Sequence, residues 1–430
     1  MSAATHRDVQ PSALAEAIYR REIGPWALLG LTLGLVEGAT IAVLVKRDYA
    51  GVVPPGVLNL CVALVSGASA MSNVISFVWA NVAHGRERVR LMVQLQAVFA
   101  LLVGLVSLAP RGAGGLGLTV FAVLIARSVW SGVLTVRGAV WASNYPRNII
   151  ARVTGRFAIV SYLGVAVAAA LVAWTLEKSR IDPRWIYGGG ALAGLVGAWL
   201  YRETRVRRQF RLLAEEAAAG PSGQVFSLSM LRQILAEDPS YRKYMFWMGL
   251  FGAGNLVLIA QLVVIFAEQL HLTGGVQIAL LSVVPMVVLP LFTPWWARLF
   301  DGTHVVAYRA RQGWALVFAT MIMCLATFTG WLPLLWAGAI MLGVANAGAN
   351  LGWNLGHNDF ASIGRAQHYM GVHVTLTGVR GAIAPPLGVI FYEALEAFRA
   401  GAGRYSLLLP LALTTLGAIG FNMMRRDLRK

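Results

Sequence analysis

At 430 residues the chain is 57% hydrophobic by type and only 13% charged, against roughly 25% charged in a soluble domain. A water-soluble fold of this size lacks the polar surface to cover itself, so the composition excludes one and points to a bilayer as the solvent. A formal charge of +17 in a soluble protein would signal nucleic acid; here the Lys and Arg sit in short gaps between apolar runs, and no nucleic-acid partner is expected.

In chain order, residues 1–23 hold no continuous apolar core of a secretory signal. They read as a cytoplasmic lead-in, with an amphipathic stretch at 12–23. About 20 apolar residues cross a bilayer, and lipid forces such runs to be helical. Spans are predicted at 26–45, 57–82, 91–109, 116–142, 157–176 and 186–201, then at 245–266, 276–299, 314–332, 334–355, 370–392 and 405–424. The fold class is all-α and polytopic: twelve helices in two six-helix bundles, residues 24–201 and 245–424. Residues 202–244 form a cytoplasmic linker with a basic run (Arg205, Arg207, Arg208, Arg211), a turn at Gly220 and Pro221, and Asp238-Pro239 before span seven. Residues 425–430 are a cytoplasmic tail.

Lys and Arg in the connections set the orientation. With the N-terminus in the cytoplasm, 25 of the 36 basic residues fall in cytoplasmic pieces, Arg309 among them, and 8 fall outside, Lys46 and Arg47 among them. Both termini are therefore expected in the cytoplasm, and the Ala-, Gly- and Arg-rich composition points to a bacterial inner membrane. Cys61 and Cys324 lie in apolar runs and read as small buried hydrophobes. No zinc spacing, G-x-S-x-G, H-E-x-x-H or phosphate loop occurs, so no metal, no cofactor and no enzyme activity is expected.

A repeat supports the division. Trp79-Ala80-Asn81-Val82-Ala83-His84-Gly85 ends span two, and Trp296-Ala297-Arg298-Leu299-Phe300-Asp301-Gly302 ends span eight, 217 residues on. Two parallel repeats about an axis along the membrane normal form a known transporter plan. Twelve spans, the six-plus-six split and this repeated loop resemble the major facilitator superfamily, over nearly the whole chain. In that family the loop after span two carries G-x-x-x-D-x-x-G-R-K/R and latches the bundles on the cytoplasmic side. The resemblance makes His84 (where the family has Asp), Arg86, Arg88 and Asp301 latch candidates. Span four keeps the Arg of the family's R-x-x-Q-G as Arg127, without the Gln. Span five lacks the drug antiporters' G-x-x-x-G-P-x-x-G-G. Pro385 and Pro386 are expected to kink or break span eleven, and Trp295 and Trp296 to anchor the membrane interface.

A charge inside a span costs about 2.5–3.5 kcal/mol on insertion scales, so it faces a partner or a wet cavity. Glu37, Arg127, Arg137 and Arg380 are such residues. Glu37, Arg127 and Arg380 fall at similar mid-depth; Arg137 is nearer the cytoplasmic end. Asn346, Asn350 and Asn354 share one helix face at i, i+4, i+8, and Asn255 sits within span seven. His373 and Thr377 read as packing residues. In the family, spans one, four, seven and ten line the cavity, so the resemblance puts Glu37, Arg127, Asn255, Asn346 and Asn350 around one space.

The function expected is secondary active transport of a small organic solute across the inner membrane by alternating access, by a monomer. Two forms are open. Glu37 is the coupling carboxylate, its protonation tuned by Arg127, with protons as the coupling ion; or the cavity binds an organic anion through Arg127 and Arg380. The alternative class is a non-transporting scaffold or sensor.

Overall fold

Peptide groups in lipid are satisfied only by the helix's own hydrogen bonds or by a closed barrel. The computed structural model describes residues 13–145, 147–178, 181–219, 228–362 and 365–427, and among these there is no strand. Gly220 and Pro221, Arg7, Arg180 and the tail from 428 lie outside the described residues.

Among the described residues ten helices are long and apolar enough to cross a bilayer, and the pair Glu16–Leu35 and Gly38–Asp48, bent by 40°, makes an eleventh span. Arg184–Tyr201, at 18 residues and ~1.5 Å each, is long enough to complete the twelve. Span one is thus a broken helix rather than the unbroken run expected. Glu37 takes an extended conformation (φ −86°, ψ 125°) and Gly38 a positive φ of 30°, which a side chain at 38 would oppose. The helix also starts early: residues from Ala13 onward belong to it, with Ile18 and Glu22 buried.

Three further expectations are corrected. Span eleven does not break at Pro385 and Pro386: it is one helix, Ala366–Phe398. Trp296 is buried at 3% exposure, while only Trp295, at 55%, is placed to meet an interface. Span nine starts at Val305, nine residues before the predicted 314, so Arg309 lies inside a helix and is wholly buried.

The repeat has a physical counterpart. Trp79 Nε1 donates to the Ser128 carbonyl at 2.9 Å, and Trp296 Nε1 donates to the Val344 carbonyl at 2.8 Å. Each indole lies against a glycine of the neighbouring helix, Gly132 in one half and Gly348 in the other; a Cβ on either would come within 2.7 Å of the ring. The same wedge holds span two to span four and span eight to span ten.

The described ends of the chain and the linker helices Gln209–Ala219 and Leu228–Glu237 gather at one end of the molecule, the terminal end. There Lys243 pairs with Asp427 at 2.6 Å and Arg365 with Glu237 at 2.8 Å. Asp238 caps span seven by accepting from the Tyr241 amide at 2.8 Å. At the far end the halves meet closely. Thr40 donates to Ser282 at 3.0 Å. Nearer mid-depth, spans two and eleven approach backbone to backbone, where a Cβ on Gly381 would fall 2.5 Å from the Met71 nitrogen.

Candidate functional site

A cavity of ≈ 350 Å³ lies between the halves. Span two contributes Asn73 and span five Tyr162; the C-terminal half contributes Asn255, Arg309, Asn346, Asn350 and Arg380, with Phe251, Met286 and Trp353 as apolar wall. Asn350 donates to the Tyr162 hydroxyl, a hydrogen bond from one half to the other. A second space of ≈ 580 Å³ opens toward the terminal end between spans two, four, ten and eleven, and shares Asn73 and Trp353 with the first. Arg137, Asn354 and His368 face it.

The charges of the cavity have one sign. Among the described residues lining it there is no carboxylate, while Arg309 and Arg380 both reach it. Arg380 Nη1 donates to the Met248 carbonyl at 2.7 Å and Nη2 to Thr377 at 3.2 Å. Its guanidinium lies over Gly252, where a Cβ would collide with Cζ. Arg309 Nη1 donates to Gln312 at 2.8 Å and Nη2 to the Ala349 carbonyl at 3.2 Å. The Nε of each is buried without a hydrogen-bond partner. Arg127 Nε is buried without a partner as well, so what sets this cavity apart is its two arginines with no carboxylate among the described lining residues.

Glu37 and Arg127 stand apart from this space. Arg127 Nη1 donates to the Glu37 carboxylate at 2.7 Å, with side-chain exposures of 8% and 26%. They neutralise each other, and neither lines the cavity that Asn255, Asn346, Asn350 and Arg380 line. The break in span one sits at Glu37 itself, where the chain leaves the helix and the carboxylate meets Arg127. Asn354 donates to Asn350 rather than to the first cavity. Arg137 stacks on Trp141 and Trp26, with Cζ 4.4 and 5.1 Å from the ring centroids. Beside these rings Glu22, wholly buried, accepts from Trp141 Nε1 at 2.8 Å. Of the two packing residues, His373 packs against Trp353, and Thr377 also reaches the cavity wall.

The latch candidates separate. Arg88 pairs with Glu216 of the linker helix, whose other oxygen accepts from the Gly85 amide at 2.9 Å. Arg86, beside it, is exposed, and His84 is half-buried. Asp301 ends the span eight helix and is exposed, and Arg88 pairs with Glu216 instead of with it. Arg88 and the Gly85 amide thus tie the loop to the linker helix.

The far-end closure is a feature that sequence reasoning misses. Lys46 Nζ lies 2.5 Å from both the Glu268 carboxylate and the Asn59 carbonyl oxygen. Asn59 donates to Glu268 at 2.9 Å and also to Glu393, and Tyr392 donates to Glu268 at 2.7 Å. Lys46 and Asn59 belong to the N-terminal half, the acids to the other. In the sequence Lys46 reads as a loop residue for topology, because charge near a span end carries that meaning by default.

A family model described as Major Facilitator Superfamily matches residues 25–385. A point mutant of the nucleoside transporter NupG superposes with a TM-score of 0.71 at 12% identity, covering 95% of this chain and 99% of its own. The xylose transporter XylE from E. coli, in an inward open conformation, gives 0.70 at 10% identity, covering 95% of each. A bacterial homolog to the human lysosomal transporter Spinster, inward-facing and unoccupied, gives 0.67 at 11% identity, covering 97% of this chain and 98% of its own. At these identities the likeness is one of fold. No curated protein matches the chain.

Proposed function

We propose that this chain, which belongs to the major facilitator superfamily, carries a small organic anion across the inner membrane by alternating access. The observation that carries the reading is a cavity between the halves whose only ionised wall groups, among the described residues, are Arg309 and Arg380. A carboxylate or similar group in the cavity meets two guanidinium groups with no facing acid among the described lining residues, the arrangement that makes charge-assisted hydrogen bonds. Asn255, Asn346 and Asn350 supply amides for the rest of the solute.

The sealed far end and the wide space at the terminal end correspond to one state of the cycle. The basic residues at the terminal end favour placing it in the cytoplasm, with both termini there and the monomer as the working unit. The state is then open inward. Reaching the other state requires parting Lys46 and Asn59 from Glu268 and Glu393.

Glu37 is the proposed coupling carboxylate. A proton on it releases Arg127, and the break in span one gives the two parts of that helix freedom to move separately. Coupling protons to an anion would lower the net charge moved.

The test is purification, a thermal-shift screen against metabolite classes at two pH values, then counterflow in proteoliposomes with the stabilising compounds. Organic anions are expected to stabilise the protein and to exchange. Stabilisation by cations or neutral solutes alone contradicts the anion reading. Absence of flux for every stabilising compound favours the scaffold or sensor instead.

A further inference from the structure

The inference starts at Arg380 and rests on the anion reading. Besides the central cavity, this residue lines a third space, of ≈ 420 Å³, on the membrane-facing side of the C-terminal half. Its other walls are apolar throughout: Met245 to Val257 on span seven, Leu376 to Gly388 on span eleven, and Leu409 and Leu413 on span twelve. Val379, Ile383 and Leu387 along it are 44%, 51% and 56% exposed, which in a bilayer means exposed to lipid. Small residues keep it open: Gly249 and Ala253 line it, and a Cβ on Gly249 would meet nothing within 4 Å.

Arg380 is therefore a charged group with one side to a polar cavity and the other to an aliphatic groove. Its guanidinium crosses span seven at Gly252, where a missing side chain lets it lie on the backbone. Its Nε is buried and unpartnered. From Arg380 to Leu387 the groove climbs seven residues, about 10 Å at ~1.5 Å per residue. An acyl chain of a bulk lipid would fill the groove but offer the arginine nothing. A molecule with an acid at one end and an alkyl chain at the other satisfies both.

We propose that the solute is an amphiphilic organic acid, an alkyl carboxylate of medium length. Its carboxylate binds Arg380 and its tail lies in the groove between spans seven, eleven and twelve. Such a solute reaches the site from the membrane leaflet as well as from water.

The experiment is equilibrium binding of radiolabelled decanoate and of propionate to the protein in nanodiscs, with empty nanodiscs subtracted. Affinity should rise about fourfold per added methylene until the chain outruns Leu387. Gly249→Leu and Ala253→Leu fill the groove while leaving both arginines in place. Each should weaken decanoate at least tenfold and leave propionate unchanged. If the filled variants bind decanoate as the parent does, the groove holds only bulk lipid and the inference is overturned, while the anion reading stands. If the parent protein binds neither acid, and no other organic anion, both fail.

Discussion

The two halves share a frame and differ in charge. Trp79 and Trp296 make the same hydrogen bond and press on equivalent glycines. Yet the N-terminal half pairs its buried arginine, Arg127, with Glu37, while the C-terminal half leaves Arg309 and Arg380 facing a cavity with no acid among its described lining residues. At the far end the polarity is reversed: the N-terminal half offers Lys46, and the C-terminal half Glu268 and Glu393. Repetition builds the scaffold, and breaking the repetition sets the charge of the cavity and builds the seal.

The sharpest way to break this contrast is to give the N-terminal half an unpaired arginine too. Removing one partner of a buried ion pair costs about 3–5 kcal/mol, but Glu37 is a quarter exposed, which lowers the expectation to roughly 1–3 kcal/mol. Glu37→Gln should lose that much stability in thermal unfolding, and its transport should lose dependence on a pH gradient. The double variant Glu37→Gln/Arg127→Gln should recover the stability but not the coupling. Unchanged pH-gradient dependence in Glu37→Gln would remove the coupling role.

The seal comes next. Lys46→Met removes the cation that joins the N-terminal half to Glu268, so that of these groups only the Asn59 amide still bridges to the two carboxylates. About 1.4 kcal/mol of lost closure corresponds to tenfold in the open population. Labelling of Thr40→Cys, in a Cys61→Ser background, by an impermeant thiol reagent from the far side should speed up roughly tenfold. An unchanged rate means the closure rests on packing alone.

Smaller again is the shared frame. Trp79→Phe and Trp296→Phe should each cost about 1 kcal/mol, the worth of one hydrogen bond, and by similar amounts in chemical denaturation. A large inequality would show that the repeat is one of sequence only.

The smallest effect is at the linker. The hydrogen bond from Arg365 holds the Glu237 carboxyl below its ordinary range. That contact is complete above the ordinary carboxylate range and is lost as pH falls through the lowered value. Hydrogen exchange of Leu228–Glu237 should therefore rise only in acid, and Glu237→Gln should remove the dependence.

The span count and the repeat were legible because lipid leaves long apolar runs no other conformation. The mid-depth residues Asn255, Asn346, Asn350 and Arg380 were legible because polar atoms at that depth are costly. The break at Glu37 and Gly38 was not, since a glycine in an apolar run is commonplace in membrane helices. Arg309 escaped because Arg311 and Gln312 beside it lower the local hydropathy and push the apparent start of span nine past all three. Its spacing to Gln312, i to i+3, was the available signal of a shared face. The seal was hidden because Lys46, Asn59, Glu268 and Glu393 are brought together only by the packing of four different spans.

The claim that the C-terminal half binds the anion is tested most directly by matched arginine removals, read by equilibrium binding of a stabilising organic acid. Arg309→Gln should weaken binding about 10- to 150-fold, the worth of one hydrogen bond to a charged group, while the Glu37→Gln/Arg127→Gln protein binds as the parent does. Full binding by Arg309→Gln, with loss in the N-terminal double variant, would contradict the account.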